Sequence, residues 1–395
     1  DLAGIPLRSA DREDGCPLVI AGGPCACNPE PLADFIDLFT LGEGEEVNLE
    51  LFSLYRRHKA AGFRRAAFLR EAAQIEGVYV PSLYEVRYHE DGYYPDRFVV
   101  PFIDIVHDRA MSEIFRGCIR GCRFCQAGFI YRPVREKSAE TINAQSRALC
   151  ESTGYEEFSL SSLSTSDYTE LERLLPMLLD WAEEEKTNIS LPSLRVDGFS
   201  EELAAKLNVL RRSGLTFAPE AGTQRLRDAI NKNLSEPEIL ETAKKAFSAG
   251  WTAVKLYFMM GLPTETMEDV AGIAQLAQKI VNSYYQNPNK PKGKGVNVSV
   301  SVSCFVPKPF TPFQWEPQDT VPQLEDKQRH LREAVTTKKV SLHWHDAQVS
   351  FLEGVFARGD RRLCAVMEEA FRRGCKRDSW SEHFSLETWL GVFRD

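Results

Sequence analysis

No apolar run in this chain is long enough to cross a membrane, and nothing at its start reads as a secretory leader. Positive charge is in deficit: 48 Lys and Arg stand against 57 Asp and Glu, a net charge of −9. That balance excludes a surface built as a whole for nucleic acid, though not a local basic patch. Only one cysteine knuckle is present, with His107 the nearest upstream histidine. Structural zinc usually takes paired knuckles or added histidines to close its tetrahedron. The ten cysteines, without a secretory context, exclude a disulfide framework and point to a reducing, cytoplasmic compartment with metal or redox use. With 43% hydrophobic and 27% charged residues over 395 positions, the chain can bury a core and is expected to hold more than one domain. It begins at Asp1 inside what reads as the middle of a domain, so a fragment open at one or both ends is expected.

What is present is concentrated in the run Arg116-Gly117-Cys118-Ile119-Arg120-Gly121-Cys122-Arg123-Phe124-Cys125-Gln126, a C-x₃-C-x₂-C spacing. Three thiolates on one short loop can each hold one iron of a 4Fe–4S cluster, which normally wants four cysteines. No fourth lies nearby, so one iron is left open to a non-protein ligand. An open iron beside a bound sulfonium is the arrangement that makes radicals from S-adenosylmethionine. A structural zinc site on the same loop is the competing reading, and a disulfide leaves one cysteine over.

The loop resembles that of the radical SAM superfamily, and more than the triad carries the likeness. Phe124 matches the aromatic position that members place beside the adenine. The stretch Ala127-Gly128-Phe129-Ile130-Tyr131-Arg132-Pro133-Val134-Arg135-Glu136-Lys137-Ser138 is similar to the loop-to-helix passage of the branch that carries an N-terminal cobalamin-binding-type domain, seen in bacterial members without an assigned reaction. The likeness covers nearly the whole chain.

Periodicity divides the chain accordingly. Residues 1–75 read as the last part of a Rossmann-like, cobalamin-binding-type domain: the apolar run Leu18-Val19-Ile20-Ala21 ends in Gly22-Gly23-Pro24, and Ile36 to Leu41 closes on Gly42-Glu43-Gly44-Glu45. Helices are expected over 46–59 and 63–74, and residues 76–109 read as a linker. Strands near 112–116, 157–162, 188–191, 215–218, 253–259 and 296–304 alternate with helical patterns. They predict an α/β fold over 110–320, the partial (β/α)₆ barrel that the resemblance implies. Residues 321–395 read as a mainly helical C-terminal extension. Its His343-Trp344-His345-Asp346 is taken as structural, since no third ligand accompanies it, and Cys364 and Cys375 lack ligand partners.

In parallel β/α barrels the working residues collect after the C-terminal ends of strands. The cysteine loop follows the first strand. Ser161 to Asp167 follows the second, where many relatives carry a Gly-Gly-Glu for the methionine amino group; this chain has none, and Ser162 is the candidate in its place, with an ordinary turn and helix cap as the alternative. Arg195, after the third strand, can grip the methionine carboxylate bidentately. Glu220, after the fourth, is similar in position to a glutamate set against the bound S-adenosylmethionine, with Arg225 expected behind it. Gly261, in Met260-Gly261-Leu262-Pro263, resembles the adenine-contacting loop. Cys304, at the end of the sixth strand, is a weak candidate hydrogen-atom donor, and a buried structural cysteine is the plainer reading. The cations Arg116, Arg120, Arg123, Arg132, Arg135 and Lys137 are expected to offset an anionic cluster, with an RNA or phosphometabolite patch as the alternative.

The reading that follows is an enzyme with a 4Fe–4S cluster on Cys118, Cys122 and Cys125 and S-adenosylmethionine on the open iron, fed by an external flavodoxin- or ferredoxin-type donor. Methyl or other group transfer is the expected reaction type, with RNA or protein among the substrates allowed. Cobalamin stays open, because the Asp-x-His-x-x-Gly that places an imidazole under cobalt does not occur in this sequence. Methylthio transfer would need a second cluster, for which Cys16, Cys25 and Cys27 have the wrong spacing. A non-catalytic iron–sulfur or zinc module is the alternative from another class.

Overall fold

The run Val298-Ser299-Val300-Ser301-Val302-Ser303-Cys304 dictates a strand with one apolar and one polar face, and it forms the centre of the larger sheet. In a computed structural model of the protein, which describes residues 3–83, 109–190, 215–290, 293–378, 380 and 382–394, this is strand β11, Asn297–Cys304. It pairs in parallel with β10 (Ala253–Met260) on one side and β12 (Val340–Trp344) on the other, and β10 pairs in parallel with β9 (Leu215–Glu220). A second sheet pairs β4 (Ala110–Glu113), β7 (Glu157–Ser161) and β8 (Asn188–Ser190), also in parallel. The fold is a partial barrel of parallel strand–helix units. The six expected strands are present, and β12 is a seventh that periodicity did not reveal.

Helices cover one face of each sheet. Val254, Leu256, Phe258 and Met260 of β10 join Val298, Val300 and Val302 of β11 in a core with the helices Glu236–Ser248, Met267–Gln286 and Val321–Ala334. Those helices start where their caps say they should. Ser235 and Thr266 each accept from the N3 amide while the N3 carboxylate, Glu238 or Asp269, takes the cap's own N–H. Helices Ala139–Thr153 and Leu171–Glu184 cover the second sheet, packing Ile142, Leu149, Leu174 and Leu178 against Phe158 and Leu160.

The chain divides into two units, Asp1–Tyr94 with Leu352–Asp395, and Pro95–Phe351. The expected extension 321–395 is therefore split. The helix Val321–Ala334 and β12 complete the barrel, whereas the remainder belongs with the N-terminal residues. In that first unit β1 (Ile20–Gly22) and β2 (Leu38–Thr40) are parallel and β3 (Val78–Tyr79) is antiparallel to β2. Helix Gly44–Ala60 buries Val47, Leu51 and Leu54, one face at helical spacing, against Leu38 and Phe68. Between β1 and β2 the chain makes two short 3₁₀ turns, Pro24–Cys27 and Glu30–Leu32.

The C-terminal residues dock by specific polar contacts. Asn28 donates through Nδ2 to the carbonyls of Ala357 (3.2 Å) and Gly359 (3.1 Å), closing the helix Ala347–Arg358. Arg361 reaches Glu30 at 3.2 Å, and the Cys364 thiol, fully buried, donates to the Pro31 carbonyl at 3.2 Å. A buried Asp37 pins the entering chain. Its carboxylate takes Arg12 at 2.9 Å, Ser9 Oγ at 2.6 Å and the Val19 amide at 2.7 Å, and Arg65 lies 2.9 Å away.

Candidate active site

The cysteine loop leaves the barrel through a tight neck. The expected first strand, 112–116, divides after Glu113: β5 (Phe115–Arg116) pairs antiparallel with β6 (Arg135–Glu136), so the loop 117–134 is closed at its base. Gly117 sits in that neck with φ +96°, and a Cβ there would meet the Tyr131 carbonyl at 2.5 Å. No other residue fits both the backbone and the space. The Cys125 amide donates to the Cys122 carbonyl at 3.1 Å, turning the two side chains within one bend.

Four hydrogen bonds from two segments, 230–231 and 309–313, hold the loop from outside. The Arg123 amide donates to the Ile230 carbonyl at 3.0 Å, and the Phe313 amide to the Arg123 carbonyl at 3.2 Å. Asn231, with φ +56°, donates through Nδ2 to the Gly121 carbonyl at 2.9 Å. Gln126 reaches the Pro309 carbonyl at 3.3 Å. Phe124 is half-buried against Ala221, Leu226, Ile230, Leu262, Phe305 and Phe313, an apolar patch made by the ends of β9, β10 and β11.

Glu220 ends β9 in an unusual backbone. The pairing of β9 with β10 slips by one residue between Phe217 and Glu220, a β-bulge, and Glu220 itself has φ +66°. A left-handed non-glycine residue beside a bulge is a re-aimed side chain, and its strain is retained where the surroundings dictate it. The surroundings are close: a Cβ on Gly222 would lie 2.3 Å from the Ile273 amide nitrogen, so this segment rests directly on the helix Met267–Gln286. Glu220 Oε1 lies 3.2 Å from Lys232 Nζ. Burial pushes its carboxyl pKa up, and Lys232 offsets part of that rise.

Arg225 was expected behind Glu220, and the structure corrects this. Arg225 donates to the Thr264 carbonyl at 2.9 Å and to the Asp269 carboxylate. Lys232, buried at 9% exposure, takes the place expected for it. It was missed because no local pattern links residue 232 to residue 220. The one available signal is Asn231-Lys232-Asn233, whose two asparagines, at φ +56° and +49°, mark a forced turn.

The other candidates fare unevenly. Ser162 Oγ lies 2.9 Å from Thr165 Oγ1, so its hydroxyl is engaged inside its own turn. Arg195 lies outside the described residues. Gly261, with φ +81°, donates its amide to Glu265 at 2.7 Å, and the space its missing side chain leaves is closed by Asp319 and Leu324, 3.1 Å from a built Cβ. Strand alternation places Cys304 with Val298, Val300 and Val302 on the helix-covered face, 7% exposed. Its thiol points toward the His345 carbonyl at 3.8 Å. The cations near the loop are largely engaged by protein groups: Arg116 with Glu113 at 2.7 Å, Arg120 with Asp167 at 2.8 Å, Arg132 with the Gly128 carbonyl at 2.8 Å and over the Phe129 ring, and Arg123 with the Ala229 carbonyl. The charge of Lys232 acts on the Cys125 sulfur.

The donor set fits an iron–sulfur cluster. Burial pushes the Cys125 thiol pKa up, and charge on Cys118 and Glu220 adds to the rise, while the Gly128 amide and Lys232 work against it. Such a crowded sulfur becomes a thiolate when a cation is supplied, because metal coordination inverts the local proton balance. Among the described residues no three His, Cys, Asp or Glu side chains converge as the ligands of one ion would. A cluster does not ask for that convergence, since each thiolate binds a different iron.

Two family models match the chain: the N-terminal region of radical SAM proteins over residues 1–81, and the radical SAM superfamily over residues 112–277. The chain belongs to the radical SAM superfamily. The uncharacterised protein MJ0966 of Methanocaldococcus jannaschii is 29% identical over 385 residues, covering 96% of this chain and 79% of that protein. The radical S-adenosylmethionine methyltransferase TsrM from Kitasatospora setae, a structure with cobalamin and a [4Fe-4S] cluster bound, aligns with a TM-score of 0.54 at 14% identity over 78% of this chain. The cobalamin-dependent radical enzyme OxsB, with aqua-cobalamin and S-adenosylmethionine bound, aligns with a TM-score of 0.54 at 13% identity over 95% of this chain. The chain spans 60% and 59% of those two structures, respectively. Their likeness is one of fold, the fold of cobalamin-dependent radical SAM enzymes. Membership of the superfamily brings with it a 4Fe–4S cluster, S-adenosylmethionine and the need for an external reductant. Among the described residues no helix is long and apolar enough to cross a membrane.

Proposed function

We propose that Cys118, Cys122 and Cys125 hold three irons of a 4Fe–4S cluster and leave the fourth to S-adenosylmethionine. The observation that carries this reading is the juxtaposition of the necked cysteine loop with the bulged, left-handed Glu220. When bound, the cluster and S-adenosylmethionine supply one-electron cleavage of the sulfonium, giving methionine and a 5′-deoxyadenosyl radical that takes a hydrogen atom from the substrate. The chain's own residues position and shield that chemistry. Glu220 accepts hydrogen bonds from the S-adenosylmethionine side, with Lys232 fixing its carboxylate. Phe124 presents an apolar ring edge for the adenine, and the loop of Gly261 stands beside it. Arg195 and Ser162 are the proposed contacts of the methionine carboxylate and amino groups.

Group transfer is the reaction type we favour, and methyl transfer within it, because the fold is shared with a methyltransferase and a cobalamin-dependent enzyme. The first unit offers a place for such a cofactor. The turns Gly22-Gly23-Pro24 and Gly42-Glu43-Gly44 follow the C-terminal ends of parallel β1 and β2, where α/β sheets take their ligands. A flavodoxin- or ferredoxin-type protein is the proposed electron donor.

The test is anaerobic reconstitution, reduction with dithionite, and quantification of 5′-deoxyadenosine from S-adenosylmethionine. Product from the wild type and none from Cys118→Ala is the expected result. A Cys118→Ala variant that matches the wild type, or a protein that takes up zinc and no iron, contradicts it. Hydroxocobalamin binding, followed by absorbance, tests the methyl-transfer reading separately.

A further inference from the structure

The sheet β9–β12 has a second face, and its composition is not that of a core. Turned away from the helices, the register sets Lys255, Ser299 and Ser341 in one row across β10, β11 and β12, and Tyr257, Ser301 and His343 in the next row toward the C-terminal ends. Lys255 and His343 are exposed and Tyr257 is 41% exposed. Parallel sheets are almost always buried on both faces, and a closed β/α barrel fills its interior with layers of branched apolar side chains. Here the corresponding layers hold hydroxyls, an amine, a phenol and an imidazole. On the second sheet the side opposite to the helices holds Ser159 and Ser190, both buried, with Glu113 and Glu157 paired to Arg116 and Arg109.

The charge on this face is unevenly placed. Its remaining positions on these strands are the uncharged Thr216, Ala218, Ala253, Met259, Asn297 and Ser303, and Glu220, which ends β9 beyond the bulge, lies 3.2 Å from Lys232. Lys255 Nζ lies over the Tyr257 ring at 4.7 Å, which turns the ammonium toward the strand ends that carry Glu220 and the cysteine loop. Two strands across and two residues along separate Lys255 from His343, a Cα span of about 12 Å at the usual strand spacing and rise.

We propose that this face is the substrate wall of the enzyme and that it takes a polar molecule with an anionic oxygen group, carboxylate or phosphate, held between Lys255 and His343. The inference rests on the radical SAM reading for its reaction and on the sheet alone for its chemistry. Lys255 supplies the charge, His343 and the serines supply hydrogen bonds, and Tyr257 offers a ring wall for the substrate's body.

Calorimetric titration of the reconstituted, S-adenosylmethionine-saturated protein with inorganic phosphate and, separately, with succinate tests it and distinguishes the two anion sources. At least one probe is expected to bind saturably, about tenfold more weakly in Lys255→Met and in His343→Ala. Lys59→Met, which removes another lysine set over a tyrosine ring, is expected to bind like the wild type. Lys255→Arg keeps the charge and is expected to retain binding, which separates loss of charge from loss of fold. Absence of saturable binding by both probes, or equal affinity in Lys255→Met and wild type, overturns the proposal. Iron content and 5′-deoxyadenosine are measured on the same samples. If both are normal while Lys255→Met binds like wild type, the substrate wall fails and the radical reading stands. If both are absent while binding still depends on Lys255, the radical reading fails and the anion site stands.

Discussion

Two carboxylates, the buried Asp37 and the half-buried Glu220, show how this chain separates structure from chemistry. Asp37 is fully buried and saturated: two arginines, a serine hydroxyl and a backbone amide meet it, and the arginines go on to bind carbonyls of the entering chain. Glu220 is half-buried, has one side-chain partner among the described residues, Lys232, and its backbone is bulged and left-handed. A carboxylate that a fold needs is given every hydrogen bond it can accept. One that awaits a ligand keeps acceptor capacity in hand and is held in place by strain and packing instead.

That contrast can be broken most forcefully at Asp37. Asp37→Ala leaves two buried guanidinium groups without their carboxylate, and a loss of roughly 3–5 kcal/mol is expected, read by urea denaturation. A loss below ~1 kcal/mol would show that water or carbonyls replace the carboxylate freely. Asp269 gives a graded case. Burial alone would raise its pKa, but hydrogen bonds from Thr223, Thr266 and Arg225 outweigh that and hold it below the usual carboxylate range. Its folded value lies below its unfolded one, so its contribution is complete above about pH 4 and is lost as the pH falls through the folded value. Asp269→Asn should therefore cost ~1–3 kcal/mol at pH 7 and progressively less under acid, in paired melts at the two pH values. Equal costs at both would refute the linkage.

Cys304→Ala comes next, at about 1 kcal/mol for a sulfur removed from a packed face, with 5′-deoxyadenosine formation unchanged. A variant that forms the radical but loses substrate conversion would restore Cys304 as a hydrogen-atom donor. Smallest on stability is Glu220→Gln, within ~1 kcal/mol, because burial already disfavours the charged form and the amide oxygen can still accept from Lys232. The same substitution should weaken S-adenosylmethionine binding about tenfold or more, measured by equilibrium dialysis. A large stability loss with unchanged binding would make Glu220 another Asp37.

Local patterns were legible and long-range pairings were not. The triad, the Val-Ser alternation of β11 and the serine and threonine caps announce themselves within a few residues. The two-residue strands β5 and β6 carry too little pattern to read, so the neck of the cysteine loop was invisible. β12 is hidden because its alternation runs over only five residues. Alternation also contained the answer for Cys304, since the residue is in phase with Val298, Val300 and Val302. Nothing local ties Lys232 to Glu220, Arg225 to Asp269, or Asn28 and Glu30 to residues some 330 positions away.

The most direct test of the central claim is electron paramagnetic resonance of the reconstituted, dithionite-reduced protein before and after S-adenosylmethionine is added. The account predicts the signal of a reduced 4Fe–4S cluster in the wild type, shifted by S-adenosylmethionine, a smaller shift in Glu220→Gln, and no such signal in Cys125→Ala. A cluster signal that S-adenosylmethionine leaves unchanged, or one that survives Cys125→Ala intact, would contradict it.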